Sequence, residues 1–216
     1  MASNSPSWQD EWWPFVLLLY MRTPAGVKRV YSRAVVDLAL ELHVRPQIII
    51  GKMLELRNAA TPSVRRLMER YHNRRRSLVY RVEKLREMRG FSSCGAFFEG
   101  VPVRETWEQD FRELPGCGGL TPVALILVLD LYFRLTPSTM RPETPEVKEL
   151  AHLIRQPQER VAEVMGVYQI LDPYLSRGEF MVTPLLKPCQ QVWQRYGNGD
   201  IEQLAALAAQ LRAYYE

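Results

Sequence analysis

The chain of 216 residues contains little cysteine and no recognisable thiol-based site. Its three cysteines, Cys94, Cys117 and Cys189, form no Cys-X-X-Cys pair, and none has a histidine within a few residues. This pattern excludes a zinc knuckle and a disulfide framework. An odd number of widely spaced thiols favours reduced, mostly structural cysteines, and hence a cytoplasmic protein.

Long apolar runs are also lacking. The longest covers the ten residues 12–21, and it is preceded by Asp10 and Glu11 instead of the basic start of a signal peptide. Ten residues are too few to cross a bilayer, which takes about 20. We therefore expect a buried helix here and no membrane segment.

Catalytic motifs are absent as well. The three histidines, His43, His72 and His152, are isolated, and no serine-hydrolase, zinc-protease or nucleotide-binding motif is present. The glycine-rich segment 116–119 is too short to cradle phosphates, and Cys117 within it has no recognisable base. These absences predict a protein that is not an enzyme and has no metal, cofactor or small-molecule substrate.

Charge is present but unevenly distributed. Residues 1–90 carry 17 basic and 8 acidic side chains, whereas residues 91–216 carry 11 and 16. The basic excess is densest in residues 57–89, where all but one of the eleven basic residues are arginine. Arginine suits phosphates and carboxylates better than lysine does, so the stretch indicates anion binding. The anion is DNA, RNA or the acidic half of the chain, and the alternative is an ordinary solvated helix face.

Helical periodicity dominates and predicts an all-α fold without strands. The expected helices cover residues 9–21, 27–42, 46–57, 61–72, 77–89, 104–112, 121–135, 144–155, 157–171, 188–196 and 200–215. A linker is expected at residues 115–119, which divides the chain into a basic unit, 1–115, and an acidic unit, 116–216.

The two units resemble each other in sequence, which indicates an internal duplication. A spacing of 112 residues relates Leu17, Tyr20, Arg22, Leu38 and Ala39 to Leu129, Tyr132, Arg134, Leu150 and Ala151. With one residue deleted the spacing becomes 111, and Pro46-Gln47 then aligns with Pro157-Gln158.

Each unit follows the order helix, irregular turn, helix, tight turn, helix, as in a helix-turn-helix. Ala39 and Ala151 provide the small side chain needed where the paired helices cross. His43 and Arg155 occupy the turn position that is usually glycine. The predicted fold is therefore two duplicated helix-turn-helix-like units with additional packing helices.

Two phrases in the second unit carry a family resemblance. Residues 129–135 read LDLYFRL, and they are followed by Pro145-Glu146, Glu149-Leu150-Ala151 and Leu171-Asp172-Pro173. Over about 50 residues this resembles the N-terminal, helix-turn-helix-like segment of bacterial HNH-endonuclease-like proteins, whose nuclease half has no counterpart here. The whole chain also resembles an uncharacterised bacterial all-helical family, through LDLYFRLTP and RYGNGD.

These observations predict a non-enzymatic protein that binds double-stranded DNA through tandem helix-turn-helix-like units. The expected contacts are Gln47, Lys52 and Arg57 on the third helix and, for phosphates, Arg65, Arg66, Arg70, Arg74, Arg75, Arg76 and Arg81. The alternative is a protein-interaction or scaffold module, such as a homodimer, that uses the five tryptophans, Ile48–Ile50 and Phe97-Phe98 and binds no nucleic acid.

Overall fold

A computed structural model describes residues 8–22, 29–88, 106–175 and 183–216, and within these ranges the chain is all-α, without strands. Two compact units are present, Met1–Glu105 and Thr106–Glu216. None of the helices in the described ranges has both the length and the apolar character that crossing a membrane requires.

The first unit has five described α-helices. They are α1 (Trp13–Met21), α2 (Arg33–Leu42), α3 (Pro46–Arg57), α4 (Pro62–Tyr71) and α5 (Arg75–Glu87). The second unit has six. They are α6 (Thr106–Asp110), α7 (Pro122–Arg134), α8 (Pro145–Ile154), α9 (Gln158–Leu171), α10 (Leu186–Tyr196) and α11 (Ile201–Leu211).

The core of the first unit forms around α1, which packs against α2, α3 and α5. Residues 15–19 of α1 are all buried, because neighbours cover the helix on several sides. The expectation that the apolar run 12–21 is a buried helix is confirmed. In α2 the apolar side is also buried, and Val35, Val36 and Ala39 are completely inaccessible to solvent.

A three-residue turn joins α2 to α3. His43 adopts a left-handed conformation with φ 52°, and the N–H of Val44 donates to the carbonyl of Ala39 at 3.0 Å. This is a helix C-terminal cap at which glycine is the usual residue. Arg45 is extended and precedes Pro46, whose fixed φ suits the first helical position.

The second unit repeats this local geometry. Arg155 is left-handed with φ 56°, and the N–H of Gln156 donates to the carbonyl of Ala151 at 3.0 Å. Pro157 then matches Arg45, with φ −59° and ψ 144° against −60° and 142°. The helix α7 has the central place that α1 has in the first unit, and it packs against α8, α9, α10 and α11.

The turn residues of the two units correspond at a spacing of 112 residues, and the one-residue deletion that pairs Pro46 with Pro157 does not fit this turn geometry. The residues before the first helical turn are Arg45 and Pro157, and the buried positions that follow are Ile49, Met53 and Leu56 against Val161, Met165 and Tyr168. Aligning the two prolines gives a different spacing because Pro157 is an N-cap residue whereas Pro46 is the first helical residue.

The expected linker at residues 115–119 belongs to the second unit, and the division lies about ten residues earlier. The N–H of Leu114 donates to the carbonyl of Leu120 at 2.7 Å, which closes the segment into a turn. Cys117 inside it is 1% exposed. Gly116, Gly118 and Gly119 have φ between 64° and 79°, so these glycines allow a tight packed turn and not a flexible connection.

Apart from the start of the second helix, the helix boundaries lie within about four residues of the predicted ones. The second helix begins at Arg33, after extended Ser32, and the expected start at Val27 lies outside the described residues. The fifth helix begins two residues earlier than predicted, at Arg75, and it ends at Glu87, two residues before the predicted end. Asp200 caps α11 by accepting a hydrogen bond from the N–H of Glu202 at 2.8 Å.

Candidate nucleic-acid interface

The helix α4 separates apolar and basic side chains cleanly. Thr61 caps its start by accepting from the N–H of Val64 at 3.3 Å, and Pro62 is the first helical residue. Val64 and Tyr71 are buried on one side. The opposite side carries Arg65, Arg66, Glu69 and Arg70, all exposed. The helix is held to the unit by its apolar side, which leaves the arginines in water.

Buried Tyr71 anchors the corner between α4 and α5. The N–H of Arg74 donates to the carbonyl of Tyr71 at 3.1 Å, and α5 begins immediately afterwards. All six residues from His72 to Ser77 are exposed. The corner therefore presents a continuous polar surface, and three of these six side chains are arginines.

We call this surface the basic corner. It is defined by Arg65, Arg66, Arg70, Arg74, Arg75, Arg76 and Arg81, all of which are exposed. Among the described residues no carboxylate lies within 4.0 Å of any of these seven guanidiniums. Two of them donate locally through Nε, Arg65 to the carbonyl of Ala59 at 3.0 Å and Arg66 to that of Pro62 at 3.4 Å.

The beginning of α5 is electrostatically unfavourable. Arg74 is its N-cap residue and makes no side-chain cap, and the first turn that follows contains Arg75 and Arg76 but no acidic residue. A helix N-terminus carries partial positive charge and favours anions by about 0.3–1 kcal/mol per group. Three cations in this position weaken the fold, and a bound anion would relieve both the repulsion and the uncapped N–H groups.

The other end of α5 has the opposite character, because its basic groups have acidic partners. Arg86 donates to both carboxylate oxygens of Glu41, at 2.6 and 2.8 Å, which ties α5 to α2. This hydrogen bonding raises the pKa of the Arg86 guanidinium. Lys84 pairs with Glu87 at 2.6 Å. Only the N-terminal half of α5 therefore contributes to the basic corner.

Two of the three predicted contacts on α3, Gln47 and Lys52, already interact with other side chains of the first unit. Gln47 is exposed and donates to the hydroxyl of Tyr31 at 3.1 Å. Lys52 is half-buried, pairs with Glu55 at 2.7 Å, and lies 5.2 Å from the ring centroids of Trp8 and Trp13. Its ammonium is already held by a carboxylate and two indole faces.

The exposed face of α3 offers few hydrogen-bonding groups. Along it lie Gln47, Gly51, Leu54 and, at the end, Arg57. Leu54 is 41% exposed, and a methyl group placed on Gly51 would meet no atom within 4 Å. Base edges are read by hydrogen-bonding side chains, so this face is poor for sequence readout.

The corresponding helix of the second unit is less accessible still. Six residues of α9 are buried, and Arg160 is paired with Glu163 at 2.7 Å. Glu159 is its exposed charged residue near the N-terminus. An acidic, largely covered helix is unsuited to phosphates.

Two exposed polar residues beside these arginines, Asn73 and Ser77, were not among the predicted contacts. Both carry groups that commonly contact phosphate. The available signal was their position: each lies within the arginine run at the start of a helix.

The two described cysteines, Cys117 and Cys189, are buried. Burial raises the pKa of the Cys117 thiol, although Arg160 opposes the effect, and it raises that of Cys189 to about 12. At neutral pH both are therefore protonated, and a thiol is a weak nucleophile compared with a thiolate. In the described part of the chain no three potential metal ligands come together.

Comparisons of the chain with protein-family models, curated proteins and solved structures gave no match. The resemblance to HNH-endonuclease-like proteins therefore stays a prediction, and the function has to be inferred from the chain's own residues.

Proposed function

We propose that this chain is a non-enzymatic protein that binds double-stranded DNA through backbone phosphates at the basic corner. The observation that carries the proposal is the run Arg74–Arg76 at the uncapped start of α5. These guanidiniums are exposed and lack a carboxylate partner among the described residues. They lower the stability of the helix that bears them, and a polyanion offsets that cost.

The proposed binding tolerates sequence variation in the DNA. Contacts to phosphates position a protein without reading bases, and the exposed face of α3 carries only Gln47 and Arg57 as hydrogen-bonding groups. We therefore assign most of the affinity to phosphates and little to base edges, and expect the affinity to depend steeply on salt.

The proposal includes an origin of the two units by duplication. It is supported by the left-handed residues His43 and Arg155, which cap matching helices at a constant spacing of 112. A cytoplasmic location is also part of it, supported by the thiols Cys117 and Cys189, which carry no disulfide.

The experiment measures the affinity for a short labelled duplex by fluorescence anisotropy between about 0.05 and 0.3 M salt. The variant R74Q/R75Q/R76Q is compared with R141Q/K148Q/K187Q, which removes the same charge from exposed positions of the second unit. If all three arginines contact phosphates, the slope of log affinity against log salt falls by about 2.7, and affinity at 0.1 M falls about 500-fold.

The control variant should retain most of the affinity, because net charge alone acts weakly at a distance in salt. Equal losses in both variants would show that net charge and not the basic corner drives binding. Absence of binding by the unmodified chain at low salt would refute the proposal.

A second candidate function is association with another protein, including a second copy of the chain. The observation in its favour is the apolar part of α3, where Gly51 and Leu54 are exposed and Ile50 is half-buried. Two of the tryptophans expected to contribute, Trp12 and Trp193, are buried instead. Light scattering of the unmodified chain and of L54E tests it: a dimer that L54E dissociates would support this function, and a monomer would remove the homodimer form.

A further inference from the structure

Ser77 stands at a chemically distinctive position within the basic corner. It is the third helical residue of α5, it is exposed, and Arg74, Arg75 and Arg76 precede it directly. Leu78 follows it and is fully buried. In the whole sequence it is the one serine or threonine with arginine both two and three residues before it.

Helix geometry surrounds the Ser77 hydroxyl with positive charge. Arg81 lies one turn after Ser77 on the same side of α5, and Arg74 is the N-cap residue, whose position lies next to that of the third helical residue. Both are exposed and lack a carboxylate partner in the described part of the chain. The first turn of a helix also favours a negative group. A phosphate on Ser77 would therefore be stabilised by two arginines and by the helix itself.

We propose that Ser77 is a phosphorylation site for a serine kinase that selects basic substrates, and that its phosphate switches off the basic corner. The switch rests on the proposed DNA binding, whereas the modification itself does not. Kinases of this type read arginines before the acceptor and an apolar residue after it, a charge pattern that residues 74–78 supply.

The chemistry is ordinary phosphoryl transfer from ATP. The Ser77 oxygen forms a bond to the γ-phosphorus, the bond from that phosphorus to the β-bridging oxygen breaks, and ADP leaves. The hydroxyl proton passes to the catalytic base of the kinase. The corner gains a charge of −1.5 to −2 at neutral pH, which offsets roughly two arginines.

Access requires the first turn of α5 to open, because the acceptor segment must leave the helix to enter a kinase. That turn is closed by the N–H of Leu78 donating to the carbonyl of Arg74 at 3.1 Å. Arg74 is already outside helical geometry, with φ −122° and ψ 45°. Repulsion among the three arginines lowers the free energy needed to open this turn. Helix ends also unfold locally more easily than helix centres.

The experiment treats the full chain with ATP and a purified kinase whose peptide preference is Arg-Arg-X-Ser followed by an apolar residue. Intact mass and peptide mapping should find one phosphoryl group, on Ser77, and S77A should remain unmodified. No incorporation into the folded chain, or incorporation that S77A does not remove, would overturn the site.

The second arm measures duplex affinity of the phosphorylated and unmodified chains. Offsetting two arginines should lower affinity about 60-fold at 0.1 M salt and reduce the salt slope by about 1.8. S77D should bind about 8-fold more weakly than S77N, because the two side chains are similar in size and only the aspartate adds a negative charge. Unchanged affinity after complete phosphorylation would overturn the switch. If the unmodified chain binds no DNA, the proposed function and the switch both fail, while the mass measurement still decides the site.

Discussion

Arg70 and Arg76 lie on the same basic corner but at opposite ends of their helices. Arg70 is in the last turn of α4, where a cation interacts favourably with the helix dipole, and Arg76 is in the first turn of α5, where it interacts unfavourably. The charge reversals R70E and R76E should therefore change stability in opposite directions. Under the proposed function both should also weaken DNA binding, because each removes one proposed phosphate contact and adds a repulsive carboxylate.

The magnitude follows from the dipole. Each interaction is about 0.3–1 kcal/mol, and reversing the sign of the charge changes it by up to twice that amount. Both side chains are exposed, so we reduce the estimate to about 0.5–1 kcal/mol for each variant. The free energies of unfolding of R76E and R70E should then differ by about 1–2 kcal/mol. For a unit of 105 residues this separates their Tm values by roughly 4–10 °C.

The assay is urea and thermal unfolding at low salt, followed by tryptophan fluorescence and circular dichroism, and repeated at high salt. R76E should be more stable than the unmodified chain and R70E less stable, and salt should shrink the gap. Equal shifts of the same sign in the two variants would refute the reasoning, because they would show that total charge and not position at a helix end controls stability.

Three other predictions concern the second unit. A methyl group on Gly197 would lie 2.5 Å from the Trp193 ring, so G197A should lower the free energy of unfolding of the unit by about 1–3 kcal/mol. In the control G166A the added methyl group meets no atom within 4 Å, so this variant should raise the free energy of unfolding by up to about 1 kcal/mol. R155G should raise the free energy of unfolding by about 0.5–1 kcal/mol, since φ 56° suits glycine, and a loss would contradict the capping geometry. Because the pKa of Cys189 is raised to about 12, alkylation near neutral pH should label this thiol only in denaturant. Labelling of Cys189 in the native chain, located by peptide mapping, would argue against its burial.

The helices themselves were predictable because local rules determine them. Two helices begin at such signals: the side chains of Thr61 and Asp200 cap α4 and α11, and Pro62 has the fixed backbone angle of a first helical residue. The apolar run 12–21 had to be buried wherever the chain placed it. All-α architecture follows from such signals, because helical hydrogen bonds join residues close in sequence.

The alignment of the two units was predictable only in part. The spacing of 112 was visible in Leu38-Ala39 and Leu150-Ala151, but the prolines suggested a deletion that the turn geometry excludes. Proline is tolerated both at the N-cap and at the first helical residue, so sequence alone could not set the register. The glycine-rich segment 116–119 misled for a similar reason, since glycine serves packed turns as well as linkers.

In the candidate site, too, some properties follow from the local sequence and others from tertiary contacts. The sequence by itself determined where the arginines concentrate and that they would lie on helices, because composition and periodicity are local properties. Which arginines are neutralised depended on contacts between distant residues: Arg86 pairs with Glu41 of α2, whereas Arg74–Arg76 have no carboxylate partner in the described ranges. Likewise, tertiary packing placed the indoles of Trp8 and Trp13 over Lys52, whereas its pairing with Glu55 is a local contact within α3. Charge acts through space, and the chain's fold decides which opposite charges come close enough to cancel it.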